Sequence, residues 1–244
     1  MRHISSPETI TITEKDGILS FHFNHPESGN EVSGSMMDAM LDALCKASTN
    51  AGVRVLKLSA VGPQFCTGRE RAGRDAASIH DEVTRLITFK AALRASPLIT
   101  VAEVQGDAKG FGLGMAILCD FTFVSTTARL AFPEMRKGLP PAAIMAYLGR
   151  YTLPKASFPL VLFGDDFSPE EALAAGLISR VCEPATLRGE VDALIDRILK
   201  LDPESARQCK SFFQAAEEGS LGQNFRLAGE MLTTTSVRLL RPPE

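Results

Sequence analysis

The chain has 244 residues, of which 45% are hydrophobic and 23% charged, with 26 basic against 29 acidic side chains and a net charge of −3. That length suits one large domain, or a core with an appended helical piece, and the composition excludes wholesale disorder. The charge balance offers no field for nucleic acid or an anionic membrane surface, and no apolar run approaches the roughly 20 residues that span a bilayer.

Residues 9–13 and 17–23 are β-rich runs, and Glu14-Lys15-Asp16-Gly17 between them reads as a hairpin turn. HPESGN (25–30) is a loop. Met36, Met37, Met40, Leu41 and Leu44 recur at helical spacing over 35–48, with Ser33 or Ser35 as cap. VRVLKLSA (53–60) is a buried strand, followed by the loop VGPQFCTGRERAGRD. The pattern predicts a long helix over 76–95, stopped by Pro97, and a strand over 98–105. A glycine-rich stretch, GDAKGFGLGMAILCD (106–120), leads into a helix ending near Leu118. Strands follow at 121–126 and 128–132, so strand and helix alternate as in a largely parallel sheet with crossovers. Beyond Pro140 the texture is mostly helical, through AAIMAYLGRY, ASFPLVLFG, SPEEALAAG, 185–201 and 203–239. Ser168 with Glu171 fits a capping box, and LISRVCE (177–183) is a strand between these helices. The expected organisation is an α/β core over 1–183 and a helical C-terminal region over 184–244.

MRHISSPETITI lacks the apolar stretch of a secretory signal, and RLLRPPE carries no familiar targeting address. Five scattered cysteines (45, 66, 119, 182 and 209) form no CxxC pair and read as reduced thiols of a cytoplasmic protein. The four histidines have no zinc-binding spacing, so no metal site is expected.

Four glycines at 106, 110, 112 and 114 stand where a helix begins, although each weakens a helix by up to about 1 kcal/mol against alanine. The spacing does not fit a dinucleotide fingerprint, which also needs an acidic residue after the next strand, and the GK[ST] of a P-loop is absent. Two readings stay open. The glycines serve close helix–strand packing, or they expose an N–H at a developing oxyanion. Gln64-Phe65-Cys66-Thr67-Gly68-Arg69-Glu70 supports the second, since it too follows a buried strand with a glycine before a polar residue. Two such loops place two N–H donors around one oxygen.

FNHPESGNEVSGSM, VRVLKLSAVGPQFCTGRE, PLITVAEVQGDAKGFGLGMAILCD and ARLAFPEMRKGLPP resemble, in order and spacing, the signature blocks of the enoyl-CoA hydratase/isomerase (crotonase) family. SPEEALAAGLISRVCE is similar to the block that opens that family's C-terminal helices. The resemblance covers roughly residues 8 to 215. It implies a crotonase-like spiral of ββα turns with a C-terminal helical oligomerisation region, a homotrimer or homohexamer, and an acyl-CoA thioester substrate. No cofactor beyond the coenzyme A of the substrate is implied. The resemblance assigns the oxyanion donors to the N–H groups of Arg69 and Phe111. Thr67, Gly68 and Glu70, with Gly110 and Gly112, become the candidate coenzyme A contacts.

Phe111 departs from the glycine common at that position and leaves two readings: a narrowed acyl pocket, or a core side chain. Of the two glutamates that the family's hydratases use, the second is present as Glu134 in Phe132-Pro133-Glu134. The first falls at Gly114. Hydration divides its proton handling between two carboxylates, whereas moving a double bond needs one mobile carboxylate and an oxyanion hole. Isomerisation of an enoyl-CoA with Glu134 as proton shuttle is therefore the favoured reaction. The alternatives are a hydratase, hydrolase or decarboxylase that recruits Glu70, Asp107 or water, and a non-catalytic acyl-CoA-binding protein. His80 reads as a helix-surface residue, Cys66 as buried and unactivated, and Arg69, Arg71 and Arg74 as a basic cluster facing coenzyme A phosphates or only solvent.

Overall fold

The computed structural model describes residues 2–4 and 8–240; residues 1, 5–7 and 241–244, parts of the expected core and C-terminal region, lie outside the described residues. Three antiparallel strands open the fold: β1 (Arg2–Ile4), β2 (Ile10–Lys15) and β3 (Ile18–Phe23). The β2–β3 turn forms where predicted, because Asp16 and Gly17 accept φ of 51° and 80°. Helix α1 (Gly34–Ser48) follows, capped by Ser33, with Met36, Met37, Met40, Ala43 and Leu44 on its buried face.

The next three turns repeat one plan. A long strand is followed by a very short one, and the chain then leaves by a helical segment. The first set is β4 (Val55–Ala60), β5 (Gln64–Cys66) and α2 (Ala76–Ala95). The second is β6 (Ile99–Val104), β7 (Asp107–Lys109) and α3 (Phe111–Ile117). The third is β8 (Phe121–Ser125), β9 (Leu130–Ala131), a 3-10 turn at Pro133–Lys137 and α4 (Ala142–Leu148). The long strands join β3 in parallel, and β10 (Arg180–Cys182) closes a seven-stranded sheet of order β1-β2-β3-β4-β6-β8-β10. The short strands form a separate parallel sheet, β5-β7-β9. Each turn thus steps from one sheet to the other before its helix, which is the expected spiral of ββα units.

Strands β5 and β7 fall in segments read from the sequence as loop. Three residues are too few to show a period, and their pairing is entirely non-local. The strand expected over 128–132 shrinks to Leu130–Ala131. Beyond α4 come α5 (Pro154–Phe163), α6 (Pro169–Ala174), α7 (Leu187–Leu199), α8 (Pro203–Ala216) and α9 (Leu221–Leu239). The run 203–239 divides at residues 217–220, where Ser220 starts α9 with a capping box to Gln223. Ser168 caps α6 in the same way with Glu171.

Two apolar layers hold the sheet. The inner one joins β2, β3 and β4 to α1, α2 and α3 around Phe21, Phe23, Phe65, Phe89 and Met40. The outer one packs α7 through Leu187, Val191, Ile195 and Ile198 against Val55, Val101 and Phe123. The Arg54 guanidinium donates to the carbonyls of Ile198, Leu199 and Leu201 and so caps the C-terminal end of α7. Among the described residues no helix is long and apolar enough to cross a membrane.

Candidate active site

The site lies where the small sheet ends and its helices begin. After β5, backbone bonds tie the chain to the 29–32 segment: Thr67 N–H donates to Gly29, Val32 N–H to Gly68, and Glu70 N–H to Val32. That ladder engages residues 67, 68 and 70 and turns Arg69 the other way. No acceptor for the Arg69 N–H is present among the described residues. Buried Asn30 fixes the 29–32 segment: its amide donates to the Val61 and Gln64 carbonyls, and its side-chain oxygen accepts from His25 N–H. The sequence reading passed over Asn30; its signal was an Asn after Gly29 at a turn, and its φ is 56°.

The second loop follows β7. Gly110 has a φ of 51°, a conformation that favours glycine, and donates its N–H to Ala131. Phe111 then opens α3, and its N–H likewise has no acceptor among the described residues. Each of the four glycines has its own reason. A Cβ at Gly106 would collide with the Pro63 carbonyl, and one at Gly112 with the Cys66 carbonyl and side chain. Gly112 thereby seats the first turn of α3 on the end of β5, beside the loop that bears Arg69. A Cβ at Gly110 would lie 2.7 Å from Glu134 Oε1. At Gly114 it would lie 2.5 Å from Tyr147 Oη, 2.7 Å from Lys90 Nζ and 3.2 Å from Ile144 Cγ1. Two of the glycines thus serve packing, one leads into an N–H with no acceptor among the described residues, and one makes room for side chains from α2 and α4.

Glu134 stands in the 3-10 turn rather than in an α-helical turn. Its side chain is half-buried against Gly110, and Oε2 is buried with no hydrogen-bond partner. Burial pushes the carboxyl above its ordinary range, while a hydrogen bond from its own backbone N–H and then the charges of Lys90, Arg71 and Lys137 act in the opposite direction. A desolvated carboxylate with an unpartnered oxygen, beside the Gly110 turn that leads into the Phe111 N–H, is suited to taking and returning a proton next to a carbonyl.

The remaining candidates divide. The N–H groups of Thr67 and Glu70 are engaged within the chain, and the Glu70 carbonyl accepts from the Arg69 guanidinium. Arg69 pairs with Glu82 at 3.4 Å, and Glu82 also accepts from the N–H groups of Ala72 and Gly73. Arg71 and Arg74 are exposed, as is His80. Cys66 is buried, with its thiol pushed up to about 12, and cannot serve as a nucleophile. Asp107 accepts from Arg129 N–H. Phe111 is 6% exposed, packed 6.1 Å from Phe89, so its ring belongs to the core wall. The sequence reading missed Lys90 and Tyr147 as members of the site.

Among the described residues no cluster of histidine, cysteine and carboxylates is arranged to hold a metal ion. A groove of about 390 Å³, lined by Arg150, Tyr151, Thr152, Leu153, Leu173 and Gly176, shares no residue with the Glu134 site.

The enoyl-CoA hydratase/isomerase family model matches residues 13–238. A Thermus thermophilus protein named as an enoyl-CoA hydratase is 30% identical over 88% of this chain and 87% of its own. The crystal structure of a Mycobacterium smegmatis enoyl-CoA hydratase superposes with a TM-score of 0.89 at 24% identity, covering 97% of this chain and 93% of that one. A Thermobifida fusca enoyl-CoA hydratase homologue, solved in complex with CoA, gives 0.85 at 23% identity, covering 95% of this chain and 94% of that one. At these identities the structural likeness establishes the fold.

Proposed function

The chain belongs to the enoyl-CoA hydratase/isomerase family, and from that premise we propose that it shifts the double bond of an enoyl-CoA thioester with Glu134 as the single proton shuttle. The observation that carries this reading is the occupation of the space beside Gly114. One helical turn along α3 from Gly110, where a second carboxylate would project, Lys90 and Tyr147 fill the room instead.

The thioester carbonyl sits between the N–H groups of Arg69 and Phe111. The Glu134 carboxylate removes a proton from C2 of a 3-enoyl chain, and the electron pair moves onto the carbonyl oxygen, where the two donors hold the enolate. The pair then returns through the chain, and the protonated Glu134 delivers its proton to C4. The double bond has moved to C2–C3, nothing is gained or lost, and the carboxylate is restored. In enzymes of this kind removing one oxyanion donor costs about 10²–10³ in rate. Coenzyme A enters as part of the substrate along the edge formed by Thr67, Gly68 and Glu70, with Gly110 and Gly112 beside the thioester. No separate cofactor is assigned. The CoA complex of the Thermobifida fusca neighbour supports this class of ligand.

One further reading has a specific observation behind it: the Thermus thermophilus relative and the Mycobacterium smegmatis neighbour are named as hydratases, which favours addition of water to a 2-enoyl thioester. Assay of the purified protein on 2-enoyl and 3-enoyl thioesters separates the two. Isomerisation of the 3-enoyl substrate is expected, falling by about 10²–10⁴ in Glu134→Gln with substrate binding little changed. Fast hydration of the 2-enoyl compound, undiminished in Glu134→Gln, would overturn the assignment.

Assembly as a homotrimer or homohexamer belongs to the same proposal, supported by Phe213, Leu221, Phe225, Leu232 and Leu239 exposed on α8 and α9. The five free cysteines suit a reducing compartment, and the cytoplasm is assigned on that ground.

A further inference from the structure

Lysine is among the residues least often found fully buried, yet Lys90 is 5% exposed, on the face of α2 that carries Leu86, Phe89 and Leu93. Its Nζ donates to Tyr147 Oη at 2.9 Å, and Tyr147 Oη donates to the Gly114 carbonyl at 2.8 Å. The ammonium lies 5.5 Å from the ring centroid of Phe111 and 5.1 Å from that of Tyr147. No carboxylate pairs with it within 4 Å among the described residues. One hydrogen bond for three donors is an under-satisfied buried charge, which a purely structural role would not favour.

The position of that charge is informative. Nζ stands 2.7 Å from where a Gly114 Cβ would be, and Glu134 Oε1 stands 2.7 Å from where a Gly110 Cβ would be. Gly110 and Gly114 are one turn apart, joined by the bond from Gly114 N–H to the Gly110 carbonyl. The two side chains therefore reach the start and the first turn of the same short helix, and the Lys90 charge acts on the Glu134 carboxyl.

We propose that Lys90 is a positioning residue for Glu134: an ammonium held by Tyr147 in the space Gly114 leaves, whose charge keeps the desolvated carboxylate available as a base. The inference rests on the reading of Glu134 as the proton shuttle. Besides burial and a hydrogen bond from its own backbone N–H, the charges acting on Glu134 are Lys90 from α2, Arg71 from the loop before α2 and Lys137 from its own turn, and Tyr147 of α4 is the other titratable group near it. Arg136 on the same turn is paired with Asp165, and Lys109 at the end of β7 with Asp166. Arg71 and Lys137 are exposed, so solvent screens them, and Lys90 is the buried cation. Burial brings the Lys90 ammonium down to about 7, while Glu134 and Cys66 pull it up. Lys90 thus carries its charge as pH falls below about 7, where the Glu134 carboxyl would otherwise hold its proton.

The test is the ionisation of Glu134 itself, followed by NMR on protein carrying carboxyl-labelled glutamate, with Glu134→Gln to assign the signal. In Lys90→Met, which keeps length and removes charge, the Glu134 titration is expected to move to higher pH by about one unit. The acid limb of kcat/KM should move with it, a loss of about tenfold on that limb against a preserved high-pH plateau. An unchanged titration in a folded Lys90→Met overturns the inference whatever the activity. A moved titration in a protein that does not isomerise enoyl-CoA supports Lys90 and rejects the reaction. If Lys90→Met folds poorly, Tyr147→Phe removes the one acceptor of the ammonium and should shift Glu134 in the same direction by less; no shift there counts against the inference.

Discussion

Alanine in place of Gly114 tests the packing of the site with a sign that propensity alone gets wrong. In an ordinary helix the change would stabilise by about 1 kcal/mol. Here the new methyl would meet Tyr147 Oη at 2.5 Å and Lys90 Nζ at 2.7 Å, so both polar ends must move. The atoms that move are those of the bond from Nζ to Tyr147 and the bond from Tyr147 to the Gly114 carbonyl, so the largest cost is the loss of both. A charge-assisted bond contributes about 1.5–3 kcal/mol and a neutral one about 1 kcal/mol, so the loss is about 2.5–4 kcal/mol. After the propensity gain, a net destabilisation of about 1.5–3 kcal/mol remains. At 244 residues, each kcal/mol moves the melting temperature by about 2–4 °C. Thermal denaturation by circular dichroism should therefore show Gly114→Ala melting about 3–12 °C below wild type. A variant as stable as wild type, or more stable, would refute the claim that Lys90 and Tyr147 hold this space.

Other outcomes follow from the same geometry. Acyl-CoA thioesters should raise the melting temperature by mass action while NAD does not; equal stabilisation by both would remove the thioester site. Asp202 caps α8 and pairs with Arg238 of α9 at 2.6 Å, and these bonds hold its carboxyl well below the usual range. A depressed carboxyl contributes stability above its unfolded value of about 3.9 and loses it as pH falls through the folded value. Hydrogen-exchange protection of α9 should therefore decline below about pH 4, and a profile identical in Asp202→Asn would count against this. Light scattering at micromolar concentration should report a trimer or a larger closed assembly, and a monomer would reject the reading of the exposed α8 and α9 side chains.

Much of the fold was legible because it is written in local periodicity. The buried stripe of α1, the alternation in β2 and β3, and the caps at Ser33 and Ser168 are all short-range signals. Strands β5 and β7 were not legible, since their three residues gain stability only by pairing across about forty residues of chain. That omission mattered, because the two candidate donors follow those strands. The resemblance, not the periodicity, put Arg69 and Phe111 together, and the structure supplies the reason their N–H groups are unengaged.

Lys90 shows a different limit. The spacing Leu86, Phe89, Lys90, Leu93 is a buried helical face with one charge in it, so the anomaly was present in the sequence. What sequence could not supply was the other side of the contact, because Gly114 lies 24 residues away and Tyr147 lies 57 away. Gly114 read alone is a missing carboxylate. Set against Lys90 it becomes space created for a cation, and the change of sign at that point alters the chemistry the site can perform. Opposite a second carboxylate, Glu134 would be held protonated by like-charge repulsion; opposite an ammonium it is free to accept a proton. The double variant Gly114→Glu with Lys90→Met should therefore show more hydration activity than Gly114→Glu alone, where the new carboxylate would pair with the ammonium. Equal activity in the two would show that the lysine and the glycine are independent.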